Sequence, residues 1–149
     1  MIETARYSES HLYAVIKPGF NLADVERRFR WNERHNVDWF IYKTTGAVLG
    51  WVNVNWNGMN DDGICPEIFD LYVMAGHRSR GMGTALLGFC ELEALARGFP
   101  RIGLCVNPVI NSRAMSLYAR SGYIKAGKLF PNGACDGIED WTIAMKKPL

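Results

Sequence analysis

The sequence predicts a mixed α/β domain in which a sheet of six or seven strands is flanked by about four helices. Three observations predict it. Short runs rich in Val, Ile, Trp and Tyr alternate or stay apolar over lengths that suit strands. Longer stretches repeat apolar residues at three- and four-residue spacing, as helices lying on a sheet do. The segments follow in the order hairpin, strand, helix, strand, helix, strands, which places helices against a mixed sheet.

In chain order, Ile2 to Tyr7 alternates loosely and opens the sheet. Ser8 or Ser10 then caps a short helix, His11 to Ile16, ended by Pro18-Gly19. Asn21 caps a second helix, in which Leu22, Val25 and Phe29 recur at helical spacing. Asp24 and Glu26 suit the positive end of its dipole, and the pattern fades near His35-Asn36. Trp39–Tyr42 and Val48–Trp56 flank a turn at 44–47 and read as a β-hairpin. Residues 57–66, with Gly, Asn and two Asp, read as a loop, and Glu67 to Met74 as a strand. Thr84 to Arg97 carries a stripe of Leu86, Leu87, Cys90, Ala94 and Leu95, and Gly98 stops that helix. Ile102 to Val106 is a strand. Asn111 or Ser112 caps a helix to Ser121, and Gly122 ends it. Tyr123–Phe130 and Glu139–Met145 are expected as closing strands, with a Gly/Asn/Asp loop between them.

The chain has 149 residues, which suits one domain over 1–149. Hydrophobic residues make up 48% and charged residues 21%, enough for a core without staples. A net charge of +2 gives little of the basic excess that nucleic-acid binders carry. No apolar run reaches the ~18 residues of a membrane helix. The polar start, MIETARYSES, does not read as a secretory signal, so a cytoplasmic protein is expected. Cys65, Cys90, Cys105 and Cys135 are too far apart for a CxxC pair and read as free thiols. His11, His35 and His77 form no metal set, so no metal is expected.

The informative stretch runs from Asp70 to Leu87: a strand, a Gly-containing turn, then a helix start. Backbone N–H groups at such a start are unpaired and sit at the positive end of the dipole. Gly81 and Gly83 let an anion approach the main chain, and Arg78 and Arg80 add charge, so a phosphate or pyrophosphate site is expected. A Walker A loop is demoted, because no Gly-Lys pair here is followed by Ser or Thr. The Rossmann fingerprint fails too: position 86 is Leu, and no carboxylate stands at 101–104.

Arg78-Ser79-Arg80-Gly81-Met82-Gly83 resembles the Q/R-x-x-G-x-G/A signature of the GCN5-related N-acetyltransferase (GNAT) superfamily. The flanking segments are similar as well. Leu71-Tyr72-Val73 precedes the signature as that family's cofactor-binding strand does, and Asn111 to Tyr123 is similar to its N-x-x-A-x-x-L-Y-x-x-x-G-F/Y pattern. Two departures stand out: Ala75-Gly76 replaces a frequent Pro-Glu, and the segment from Val106 to Asn111 is one residue longer than usual.

The resemblance implies a mostly antiparallel sheet, acetyl-CoA as co-substrate, and direct transfer to an amine. The amides from Arg78 to Thr84, including Ser79, Arg80, Met82 and Thr84, would hold the pyrophosphate. Leu71, Tyr72 and Val73 would pair with the pantetheine arm, and Asn111 would also bind the cofactor. A backbone N–H near Val73 would stabilise the developing oxyanion. Tyr118 is the candidate general acid for the departing thiolate, since a phenol of pKa ~10 stays protonated at neutral pH. Glu67, Asp70 or water would deprotonate the amine. An ideal strand puts 67 and 70 on opposite faces, but the family bulges this strand, so parity does not choose. The acceptor is a small-molecule amine or a protein amino group, and dimers are common in the superfamily. Transfer of another acyl group, or a non-catalytic CoA sensor, are the alternatives. Trp56 and Trp141 could border the acceptor, and Glu139-Asp140 with Asp61-Asp62 could attract a cationic one.

Overall fold

The computed structural model describes residues 1–58, 65–135 and 138–149. Asp61 and Asp62 lie outside them. The elements are β1 (Ile2–Thr4), a 3-10 turn (Tyr7–Glu9), α1 (Ser10–Tyr13), α2 (Leu22–Arg34), β2 (Val37–Thr44), β3 (Ala47–Asn55) and β4 (Glu67–Val73). There follow α3 (Met82–Ala96), β5 (Arg101–Val106), α4 (Ser112–Arg120), β6 (Ile124–Lys125), β7 (Phe130–Cys135) and β8 (Ile138–Pro148). The sheet runs β1-β2-β3-β4-β5-β8-β6, with β7 on β8, so the described residues form eight strands where six or seven were expected. Among the described residues every pairing is antiparallel except β4 with β5.

Local chemistry accounts for most of these boundaries. Asn21 caps α2 in a capping box: its Oδ1 accepts the Asp24 N–H at 3.1 Å, and Asp24 Oδ2 accepts the Asn21 N–H at 2.9 Å. The first helix is shorter than its periodicity suggests. Ser10 does not cap it but donates from Oγ to the Tyr7 carbonyl at 2.6 Å, closing a 3-10 turn first. The expected strand over 123–130 is reduced to Ile124–Lys125. Gly127, at φ +98°, breaks it, and the segment expected as a loop pairs instead with the outer half of β8, Phe130 opposite Thr142 and Pro131 opposite Trp141.

Side-chain alternation along the strands divides the core in two. Val52, Val54, Ile68, Ile102 and Leu104 face α3 and α4 and pack on Leu86, Leu87, Cys90 and Tyr118. Trp39, Ile41 and Trp51 face the other way, onto Tyr13 and Val25 of α1 and α2. Each large side chain buried this way contributes ~1.5–3 kcal/mol. Among the described residues no helix is long and apolar enough to cross a membrane.

The feature that creates the site is a fork. β4 and β5 pair only at Glu67–Gly103 and Ile68–Leu104 and then separate. A bulge drives them apart. Trp51 stands opposite Tyr72 and Asn53 opposite Phe69, so Asp70 and Leu71 together face Val52. Asp70 absorbs the extra residue at φ +49°, an uncommon conformation for a non-glycine residue.

Candidate active site

A cleft of about 640 Å³ opens at the fork. β4 contributes Leu71, Tyr72 and Val73, and the turn after it contributes His77, Arg78 and Ser79. Gly81, Met82, Gly83 and Thr84 form its wall at the start of α3. Asn111 and Tyr118 line it from the α4 side. The fold thus brings together nearly every residue expected around the signature. Arg80 is the exception in that segment: its side chain is exposed and does not line the cleft. The sequence reading missed Arg113, Leu117 and Arg120, which line the same wall from α4. Their spacing of four and three residues puts them on one helix face, a signal that was available. Among the described residues no Asp or Glu lines the cleft, and Arg78, Arg113 and Arg120 make that lining cationic.

The open edge of β4 follows from its pairing with β3. The Met74 N–H donates to the Leu49 carbonyl at 2.8 Å, so Gly50 and Val73 form a non-hydrogen-bonded pair. The Val73 N–H and carbonyl therefore turn toward the fork. Arg78 Nε donates to that carbonyl at 2.9 Å, which leaves the N–H facing the cleft. Gly50 permits the strands to close here, since a Cβ would stand 2.8 Å from the Tyr72 carbonyl oxygen.

Gly81 caps α3 at φ +83°, and no side chain caps that helix. The first intrahelical bond runs from the Ala85 N–H to the Gly81 carbonyl at 2.9 Å. The N–H groups of Met82, Gly83 and Thr84 are therefore left without helical acceptors. Gly83 lets α3 approach α4: a Cβ there would stand 3.0 Å from Leu117 Cδ2. Across the turn, Arg113 donates to Ser79 Oγ at 2.5 Å, and Ser79 holds φ +61°. Unpaired amides at a dipole's positive end, with arginines around them, fit a phosphate group.

Tyr118 is 9% exposed, and burial pushes its phenol up to about 12. It is neutral across the physiological range. The two candidate carboxylates lie outside the cleft lining, on the α1/α2 side of β4. The bulge brings 67, 69, 70 and 72 to that face. Asp70 is occupied there, accepting from Arg28 at 2.8 Å and from Lys17 at 3.4 Å. Asp70→Asn is expected to cost about 1–3 kcal/mol by leaving the half-buried Arg28 poorly paired, read as a lower Tm. Among the described residues the Glu67 carboxylate meets the Cys105 thiol, 3.8 Å from its Oε2. Burial raises its carboxyl, opposed weakly by that thiol, and burial with Glu67 nearby pushes the Cys105 thiol up to about 12.

A carboxyl raised on folding favours the native state below its unfolded pKa, and that advantage is lost as pH rises through the folded value. Glu67→Gln is therefore expected to raise Tm relative to wild type at pH 7–8, with the gap closing toward pH 4. A Tm difference constant across that range would show that Glu67 is not strained by burial.

Trp56 is buried, donates from Nε1 to Asp38 at 2.9 Å and is stacked under Arg97, so it packs the fold. Trp141 is 46% exposed on β8. Asp140 accepts from Asn107 Nδ2 at 2.9 Å, which fastens the β5–α4 connection.

A family model described as the acetyltransferase (GNAT) family matches residues 6–123. An uncharacterized N-acetyltransferase of Methanocaldococcus jannaschii is 31% identical over 98 residues, 64% of this chain and 43% of that protein. The chain thus spans less than half the length of that curated relative. An N-acetyltransferase of Staphylococcus aureus Mu50 shares the fold at a TM-score of 0.79 and 19% identity, covering 99% of this chain and 97% of that one. A phosphinothricin acetyltransferase of Sinorhizobium meliloti, solved with acetyl-CoA, does so at 0.73 and 19%, covering 100% and 88%.

Proposed function

The chain belongs to the acetyltransferase (GNAT) family, and on that premise we propose that it moves an acetyl group from acetyl-CoA directly to a primary amine. One observation carries this reading: the open amides of Met82–Thr84 and the open edge of β4 lie in a single cleft with Tyr118. The amides and Arg78 suit the diphosphate, and the β4 edge suits the amide-rich arm that leads to the thioester.

The residues then divide the work. The amine nitrogen attacks the thioester carbonyl carbon, so a C–N bond forms as the C–S bond breaks. The Val73 N–H donates to the carbonyl oxygen as charge develops on it, an interaction worth ~3 kcal/mol of barrier. Tyr118 gives its phenolic proton to the departing sulfur and regains one from solvent. The amine proton goes to Glu67 or to water. Glu67 suits a base better than Asp70 does, since its carboxylate has no cationic partner among the described residues, whereas Asp70 holds two. The compact domain favours a small-molecule acceptor over a protein amino group.

The test is thiol release from acetyl-CoA across a panel of alkylamines, diamines, amino acids and a peptide with a free N-terminus, with CoA affinity measured separately by calorimetry. Stoichiometric CoA and acetylated amine are expected from at least one member. Tight CoA binding without turnover would replace the enzyme by a CoA-binding sensor. Faster turnover with a longer acyl-CoA would replace the acetyl donor.

A further inference from the structure

Tyr118 reaches the fork from a helix rather than from the sheet, so its hydroxyl is placed by whatever holds α4. The connection leading into that helix is held by Asn107, whose Oδ1 accepts the N–H groups of Val109 and Ile110 at 3.0 Å each. The C-terminal end is held differently. Gly122 leaves the helix at φ +95° and returns Tyr123 beneath Tyr118. The Tyr123 N–H donates to the Tyr118 carbonyl at 3.0 Å, and the two rings meet edge to face with centroids 6.2 Å apart. Among the described residues nothing hydrogen-bonds the Tyr118 hydroxyl, so ring packing alone orients it.

Tyr123 is itself anchored. Its hydroxyl donates to Glu91 Oε1 on α3 at 3.0 Å. The second oxygen of Glu91 accepts the Lys147 ammonium of β8, also at 3.0 Å. The Lys147 stem lies against Gly122, where a Cβ would stand 3.4 Å from its Cε. The Glu91 side chain is 16% exposed, so this ion pair is shielded from water more than a surface pair is. Three elements thus meet on one tyrosine ring, and that ring packs on Tyr118.

We infer that Tyr123, anchored by Glu91 and Lys147, is a positioning residue that aims the Tyr118 hydroxyl into the cleft. The inference rests on the reading of Tyr118 as proton donor. Removing the anchor frees the Tyr123 ring to tilt, and Tyr118 follows it. A shift of that kind misplaces the proton without changing the amides of Met82, Gly83 and Thr84.

Tyr123→Phe keeps the ring and removes its anchor, and Glu91→Gln keeps the size and removes the charge that holds Lys147. Each is assayed with the fastest amine of the panel, and CoA affinity is measured by calorimetry beside it. Both variants are expected to lower kcat about tenfold, the scale of a small misplacement at the reacting atoms. KM for acetyl-CoA and the affinity for CoA are expected to stay within about twofold, since ground-state binding is untouched. In a Tyr118→Phe background, Tyr123→Phe is expected to lower kcat no further, because the two residues act as one unit. Normal turnover in Tyr123→Phe, with Tyr118→Phe slow, overturns this inference alone. Normal turnover in Tyr118→Phe overturns both it and the donor reading. A tenfold loss that persists in the Tyr118→Phe background, or CoA affinity that falls in step with kcat, also overturns it. Should Tyr123→Phe fail to fold, Lys147→Arg, which keeps the pair, against Lys147→Met, which breaks it, makes the same comparison.

Discussion

Tyr118→Phe is expected to lower kcat by about 10²–10⁴-fold, the range of a single positioned general acid. The phenyl ring keeps the packing of α4 on the sheet, because the Tyr118 ring belongs to the core shared by Leu86, Ile68 and Tyr123. Only the hydroxyl is lost, and it has no hydrogen-bond partner among the described residues whose loss would destabilise the fold. CoA affinity and Tm are therefore expected to change little. The phenol, pushed up to about 12 by burial, remains a proton source well above neutral pH. The variant's deficit is thus expected to be the same at pH 6.5 and pH 8.5. Full turnover in the variant would leave Tyr118 as packing alone. A deficit confined to the acidic side would assign the titrating proton to another group.

Gly81→Val is expected to weaken CoA about 10²-fold, the equivalent of losing one or two charge-assisted hydrogen bonds. Two causes act together. Gly81 holds φ +83°, where a β-branched residue is strained, and relaxing that strain re-aims the amides of Met82, Gly83 and Thr84. A Cβ at Gly81 also meets nothing within 4 Å, so it would stand in the open space of the cleft. Gly98 supplies the control. It has the same φ of +83° and equally open surroundings, but it sits beyond the other end of α3. Gly98→Val is expected to lower Tm comparably and leave CoA affinity unchanged. Equal loss of affinity in both variants would mean that Gly81 acts through general stability and not through the amides it orients.

Much of this architecture was legible residue by residue. Asn21 and Asp24 announced the start of α2, because a capping box is complete within four residues. The turn at 44–47 announced the hairpin, and the glycines around 81–83 announced the open-amide turn at the start of α3. α3 starts at Met82 and not Thr84, since the left-handed Gly81 serves as its cap. The closing strands were harder to read. Pro, Asn and Gly at 131–133 look like a loop, and only the unpaired outer half of an eleven-residue β8 turns them into a strand. Cross-strand demand of that kind is invisible along the chain. The α4 arginines were visible as spacing but belonged to no motif.

The carboxylates mark the boundary most clearly. Sequence put Glu67 and Asp70 on one strand and left their roles equivalent. Only the folded chain brings Lys17, 53 positions away, and Arg28 onto Asp70 while burying Glu67 against Cys105. Sequence by itself determined most of the elements, the glycine-lined turn before α3 and the tyrosine of α4, because periodicity, capping and left-handed turns are settled among near neighbours. Tertiary structure alone decided the fork, the direction in which the Val73 amide points and which acid is paired with Lys17 and Arg28. Those depend on a bulge and on burial, and both arise from contacts between residues remote in sequence.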